Sequence, residues 1–224
     1  MAIDQQASAS QPAAYSTRAG VKRLGCGGAT GNERLTAATG ATLIVLLAVI
    51  GVTIVRLRPL LSVHLFVGML LIGPVLLKLG STGYRFVRYY THNPSYRRKG
   101  PPPAALRMIA PIVVISTVVV LASGVALLFA GPSSRDTLLP IHKASFIVWV
   151  AFTALHVVGH LPHMPRLLRA DYSRSAGWSS DVTGRSGRIL SLSGALVAGV
   201  VLAVLVIPEF GPWLHSSSLF NHHH

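Results

Sequence analysis

Four histidines lie in one apolar stretch, Ile141–His163: His142, His156, His160 and His163. The stretch is apolar enough to sit in a bilayer, where an ionisable side chain is costly and therefore points to function. His142 and His156 are 14 residues apart, so on a helix they project from nearly the same face, roughly 21 Å apart along the axis. A hydrocarbon core is about 30 Å thick, which puts one histidine towards each side of it. That geometry suits two haems stacked across a membrane, each taking one axial ligand from this helix. His156, His160 and His163 fall at i, i+4 and i+7 and could instead hold zinc or another transition metal. No acidic residue stands near to complete such a site, and none occurs in any apolar span. The same absence argues against a proton-coupled transporter. His163, between Pro162 and Pro165, reads as interfacial.

A second apolar stretch, Ser62–Leu79, repeats the pattern with His64 and Lys78, again 14 apart. The two stretches run in the same direction, so His64 matches His142 in depth and Lys78 matches His156. His64 and His142 make a bis-imidazole pair for one b-type haem, since a neutral imidazole ligates iron well. Gly68 lies one turn after His64 on its face, where a missing side chain lets a flat ligand approach. The inner position has two candidates opposite His156, namely Lys78 and a competing ligand in His160. A deprotonated Lys78 could ligate iron, but snorkelling to the surface or a propionate contact is the preferred reading. In the blander account, His64 and His142 are interfacial side chains bonded to water or headgroups.

Around these residues the chain is 51% hydrophobic and 12% charged, with a mean hydropathy of +0.55 over 224 residues. Those values fit an all-α, polytopic membrane protein. The formal charge of +14 does not point to nucleic acid, because the basic residues are not spread over a surface. The tail before Leu35 and two polar loops, Tyr84–Arg107 and Arg166–Arg188, hold 15 of the 20 Lys and Arg residues. Arg56, Arg58, Arg135 and Lys143 fall on the other side, and Lys78 is intramembrane. The asymmetry predicts a cytoplasmic N-terminus and an external C-terminus in the cell's inner (cytoplasmic) membrane. One cysteine, Cys26, rules out an intrachain disulfide or a Cys₄ cluster.

The expected spans are 35–55, 62–79, 108–130, 141–163 and 189–207, five helices in all with a four-helix haem-binding core. Residues 1–34 read as a disordered cytoplasmic tail, with no apolar region to make a secretory signal. Residues 208–224 read as an external tail with Trp213 and His215 at the interface. The first span has neither charge nor histidine and reads as a lipid-facing packing helix. Gly73-Pro74 predicts a kink in the second. Ser116, Thr117, Ser123 and Gly124 suit the third to close helix packing. The tyrosine- and arginine-rich loop 84–107 sets orientation, or docks a partner or anionic lipid.

The His142…His156 pair resembles the arrangement by which one helix serves two haems in the membrane cytochrome b superfamily. That group includes the di-haem b subunits of formate dehydrogenases and hydrogenases and the bacterial cytochrome b561 proteins. The block from His64 to about Pro162, including VLLKLGSTGYRFVRYY and IHKASF, looks like cytochrome-b-like membrane proteins of actinobacteria. The resemblance covers just under half the chain and implies haem b bound by axial histidines. It also implies electron transfer within or across the membrane, with a redox partner subunit or quinone. Two departures stand out. The first span lacks a histidine, and position 78 is Lys where a second ligand of a two-haem pattern would sit. One haem is therefore expected, with two as the alternative. No dinucleotide fingerprint or CxxCH motif is present, so the chain reads as an electron carrier or oxidoreductase subunit rather than a stand-alone enzyme. The competing readings are a cofactor-free membrane anchor or assembly subunit and a His-rich transition-metal-binding membrane protein.

Overall fold

Hydrocarbon offers no water to a peptide group, so an apolar segment crossing it closes its backbone bonds within itself as a helix. The computed structural model describes residues 28–97, 104–160 and 184–215, and helices are the only regular structure among them. In chain order they are α1 (Gly28–Val55), α2 (Leu57–Tyr90), the short α3 (Pro94–Arg97), α4 (Ala104–Ala130), α5 (Arg135–His160), α6 (Arg185–Leu205) and the short α7 (Gly211–His215). Five of them, α1, α2, α4, α5 and α6, are long and apolar enough to cross a membrane. The protein is thus an all-α, multi-pass helix bundle. Most of the expected disordered tail, the second basic loop, His163 and the end of the external tail lie outside the described residues.

Several boundaries differ from the sequence expectation. α1 reaches back to Gly28, because Asn32 Nδ2 donates to the Ser81 carbonyl at 3.0 Å and ties this polar first turn to α2. α5 begins at Arg135, leaving only Gly131 and a 3-10 turn at Pro132–Ser134 between it and α4. Gly131 takes φ 72°, a conformation that favours glycine.

The kink expected at Gly73-Pro74 is absent. α2 continues through Pro74, and its non-helical residue is Leu60 (φ −112°, ψ 18°), just after Pro59. The reason lies in the neighbouring helix. Proline has no N–H, so Pro74 leaves the Leu70 carbonyl without its usual helix donor. Gly199 of α6 packs so closely there that an added Cβ would run into the Leu70 oxygen. The glycine hydrogen in that direction therefore points at the freed carbonyl. A Cβ on Gly73 would likewise run into the Ala195 carbonyl of α6. Two reciprocal Cα–H···O contacts thus join α2 to α6 at the proline.

α2 is the centre of the bundle. α1 and α6 flank it and touch each other, while α4 meets it more lightly. α5 packs chiefly on α4, and no residue in its apolar stretch is buried. Ile50 of α1 is buried with Val67 and Leu71 of α2. At the opposite end from Gly28, Met69, Leu128, Ala203, Phe210 and Trp213 form a second core. There a 3-10 turn (Ile207–Phe210) and α7 fold back over the bundle, so Trp213 is buried and donates to the Leu128 carbonyl at 3.4 Å. Between α2 and α4 runs an apolar groove of about 190 Å³, lined among others by Ile72, Leu76, Leu79, Val118, Leu121 and Val125.

The α2–α6 crossing gives a paired prediction. Gly73→Ala and Gly199→Ala each force the helices apart and cost about 1–3 kcal/mol. Gly68→Ala, whose Cβ meets nothing within 4 Å, leaves stability unchanged. Thermal unfolding of the three variants in one detergent checks this.

Candidate functional site

The residues singled out by type and spacing come together in two layers. His64 of α2 and His142 of α5 approach within electrostatic range of each other. One helical stretch deeper, Lys78 and His156 do the same. The depth matching between α2 and α5 is therefore a property of the fold.

Each member of the first pair is held by a hydroxyl on the preceding helix. Thr53 of α1 sits 2.9 Å from His64 Nδ1, and Ser123 of α4 sits 3.0 Å from His142 Nδ1. A hydroxyl has a single proton to give. Thr53 gives its proton to the Ile50 carbonyl at 2.6 Å, the usual back-bond of a threonine inside a helix. With its proton there, its oxygen accepts from His64 Nδ1–H. Ser123 likewise reaches the Val120 carbonyl at 3.1 Å, and that carbonyl is itself within reach of the His142 ring. With both of these as acceptors, His142 too is the Nδ1–H tautomer. In that tautomer Nε2 carries the lone pair, and Nε2 is the atom that can ligate a metal. Neither hydroxyl was recognisable as a histidine partner in the sequence. Thr53 lay in the span read as featureless, and Ser123 was read as a packing residue.

The glycines divide differently from expectation. Gly68 borders open space on the His64 face of α2. Gly124 stands against an imidazole, since a Cβ there would come within 3.1 Å of His142 Cε1. The α4–α5 seam continues inward with Trp149 Nε1 donating to Thr117 Oγ1 at 2.9 Å. Trp149 is seven residues from both His142 and His156 and so shares their helix face.

The second pair has another character. Lys78 Nζ donates to the Thr36 carbonyl of α1 at 2.7 Å. Thr36 Oγ1 donates to Ser81 Oγ at 3.0 Å, and Ser81 Oγ donates back to the Lys78 carbonyl at 3.1 Å. The ammonium is therefore tethered to the first turns of α1, so its stem runs towards the Gly28 end of the bundle. Among the described residues no third histidine, cysteine or carboxylate gathers at either layer, and no cluster of three such groups occurs. The side chains of His160 and His163 lie outside the described residues, and so does any site they complete with His156. The groove between α2 and α4 has an apolar lining that includes none of these residues.

The arrangement brings two imidazoles, one from α2 and one from α5, within electrostatic range of each other, each with Nδ1 beside a hydroxyl. That is a donor set for the two axial positions of one iron. The inner layer offers a histidine beside a tethered cation, a poor donor set for a second. Comparisons with known protein families, with curated proteins and with solved structures found no match to this chain.

Lys78 carries the testable consequence. Removing one member of a buried ion pair is damaging, but Lys78 bonds a neutral carbonyl already engaged in the α1 ladder. Lys78→Met should therefore fold at least as stably as the parent, by up to about 1–3 kcal/mol. A marked fall in its unfolding temperature in detergent would show that the charge itself holds α1 to α2.

Proposed function

We propose that the protein is a b-type haem membrane protein of the cytochrome b kind, carrying electrons within or across the cytoplasmic membrane. The observation that supports this best is the pair of facing imidazoles, His64 and His142, each with Nδ1 engaged by an acceptor and Nε2 left as the lone-pair nitrogen. In this reading His64 and His142 would hold one haem b through their Nε2 atoms. When bound, the haem iron supplies a reversible one-electron couple.

The chain's own groups do the rest. Thr53 and Ser123 select the tautomer and orient the rings, as the outer partners of metal-bound histidines do. Gly124 leaves the His142 ring room to turn. The apolar faces of α2, α4 and α5 keep water away, which favours the less charged state of a bound cofactor. Lys78, tethered to Thr36, sets a fixed positive charge at the second layer and disfavours a second iron there. One haem per chain follows. The excess of Lys and Arg in the N-terminal tail and the two large loops supports a cytoplasmic N-terminus in this reading. Electrons would reach and leave the site through a partner subunit or quinone.

The test is a pyridine haemochrome assay and a reduced-minus-oxidised spectrum on protein purified from haem-replete cells. One haem per chain is expected. His64→Ala and His142→Ala should each lose it, while Lys78→Met keeps it. Thr53→Val and Ser123→Ala should retain the ligands but bind haem about 10–100-fold more weakly. A colourless parent protein that is folded would overturn the reading and leave a cofactor-free anchor.

A further inference from the structure

Beyond Leu79, α2 continues for another three turns as GSTGYRFVRYY, with two arginines and no carboxylate. This extension ends in a reversal. His92 takes φ 60°, and the N–H groups of Thr91, His92 and Asn93 bond back to the carbonyls of Val87, Tyr89 and Arg88. The turn brings α3 alongside α2, so that Tyr96 is buried and meets Tyr84 edge to face at 6.1 Å. The two phenols stand close to each other, and both Arg85 and Arg88 lie within electrostatic range of Tyr96. Arg88 stacks over the Tyr84 ring at 6.0 Å, yet its Nε–H is buried with no hydrogen-bond partner. Asn93, at the same turn, also has its amide oxygen buried and unbonded.

A buried donor left unmade is costly, and a guanidinium is a donor shaped for phosphate or carboxylate oxygens. Depth decides between a headgroup and a soluble anion. Measured from Ser62 at the start of the span, Arg85 and Arg88 lie about 35 and 39 Å along the helix. A hydrocarbon core of about 30 Å ends before them, and the headgroup layer occupies about the next 5–7 Å. Arg85 falls within that layer and Arg88 just past it, and helical side chains lean towards the N-terminus, which brings both guanidinium groups back to the level of lipid phosphates.

We propose that Arg85, Arg88, Tyr84 and Tyr96 form a binding site for the phosphodiester of an anionic phospholipid at the end of α2. The site rests on the membrane-spanning reading of the bundle and does not depend on a metal. Arg88 is the central donor, Arg85 adds charge, and the phenols hold the arginine over the ring face. Fixed in this way, the lipid would set the depth of α2, and with it the depth of His64 and Lys78.

The experiment uses the full chain in nanodiscs of phosphatidylcholine with phosphatidylglycerol, transferred to mild detergent and examined by native mass spectrometry. The parent should retain phosphatidylglycerol in preference to phosphatidylcholine. Arg88→Gln and Arg85→Gln should each lower that retention about fivefold. Arg88→Lys should keep part of it, and Arg56→Gln, at the other end of the bundle, should change nothing. Equal retention of the two lipids by the parent would overturn the proposal. So would undiminished retention by both glutamine variants. If millimolar inorganic phosphate displaced the lipid, the site would be one for free phosphate and the lipid assignment would fail. An unchanged unfolding temperature confirms that each variant is folded, and Arg85→Gln decides the matter should Arg88→Gln not fold.

Discussion

A hydroxyl in a membrane helix has one proton, and the carbonyl a turn behind it takes that proton. This constraint organises the centre of the protein. Thr53 and Ser123 satisfy their own helices first, through Ile50 and Val120, and so can offer only an acceptor to the next helix. The histidines opposite complete the chain as Nδ1–H donors, with each ring oriented by a helix to which it does not belong. Helix, hydroxyl and imidazole then form one line of hydrogen bonds inside the hydrocarbon, where a polar group left unmade is costly. Tautomer selection of this kind needs no carboxylate, which suits spans that contain none.

The same accounting governs the contacts between helices. Pro74 frees a carbonyl in the middle of α2, an exposed defect if α2 stood alone. Close approach of Gly199 turns the defect into a point of attachment. Lys78, Thr36 and Ser81 do for α1 and α2 what the glycines do for α2 and α6. α2 is thereby held on both sides by polar or near-polar contacts, while α4 meets it mainly through apolar side chains.

Much of this was legible in the sequence. Five apolar runs gave five helices, and the 14-residue intervals placed His64 with His142 and Lys78 with His156 at shared depths. Periodicity carries depth along a helix well, because rise and turn are fixed by the backbone. It carries nothing about which side chain of a neighbouring helix lies opposite. Thr53 and Ser123 were therefore invisible as partners, since one hydroxyl among several small residues has no distinguishing spacing. The stem of Lys78 was read as reaching towards the inner surface; it does run that way, but the Thr36 carbonyl that receives it could not be read from spacing. Pro74 was read from its own chemistry alone, and the glycine that accommodates it lies more than a hundred residues away.

That separation has a consequence in time. Chains are made at about 5–20 residues per second, so α6 emerges many seconds after α2 has entered the membrane. Through that interval α2 has only α1 and the lighter contact of α4, without the glycine that covers the Leu70 carbonyl. Meanwhile α4 and α5, joined by only Gly131 and one short turn, can pair as soon as they are made. The order of synthesis thus favours two hairpins before the fifth helix joins them. Only when Gly199 arrives does α2 acquire its final position, and His64 with it.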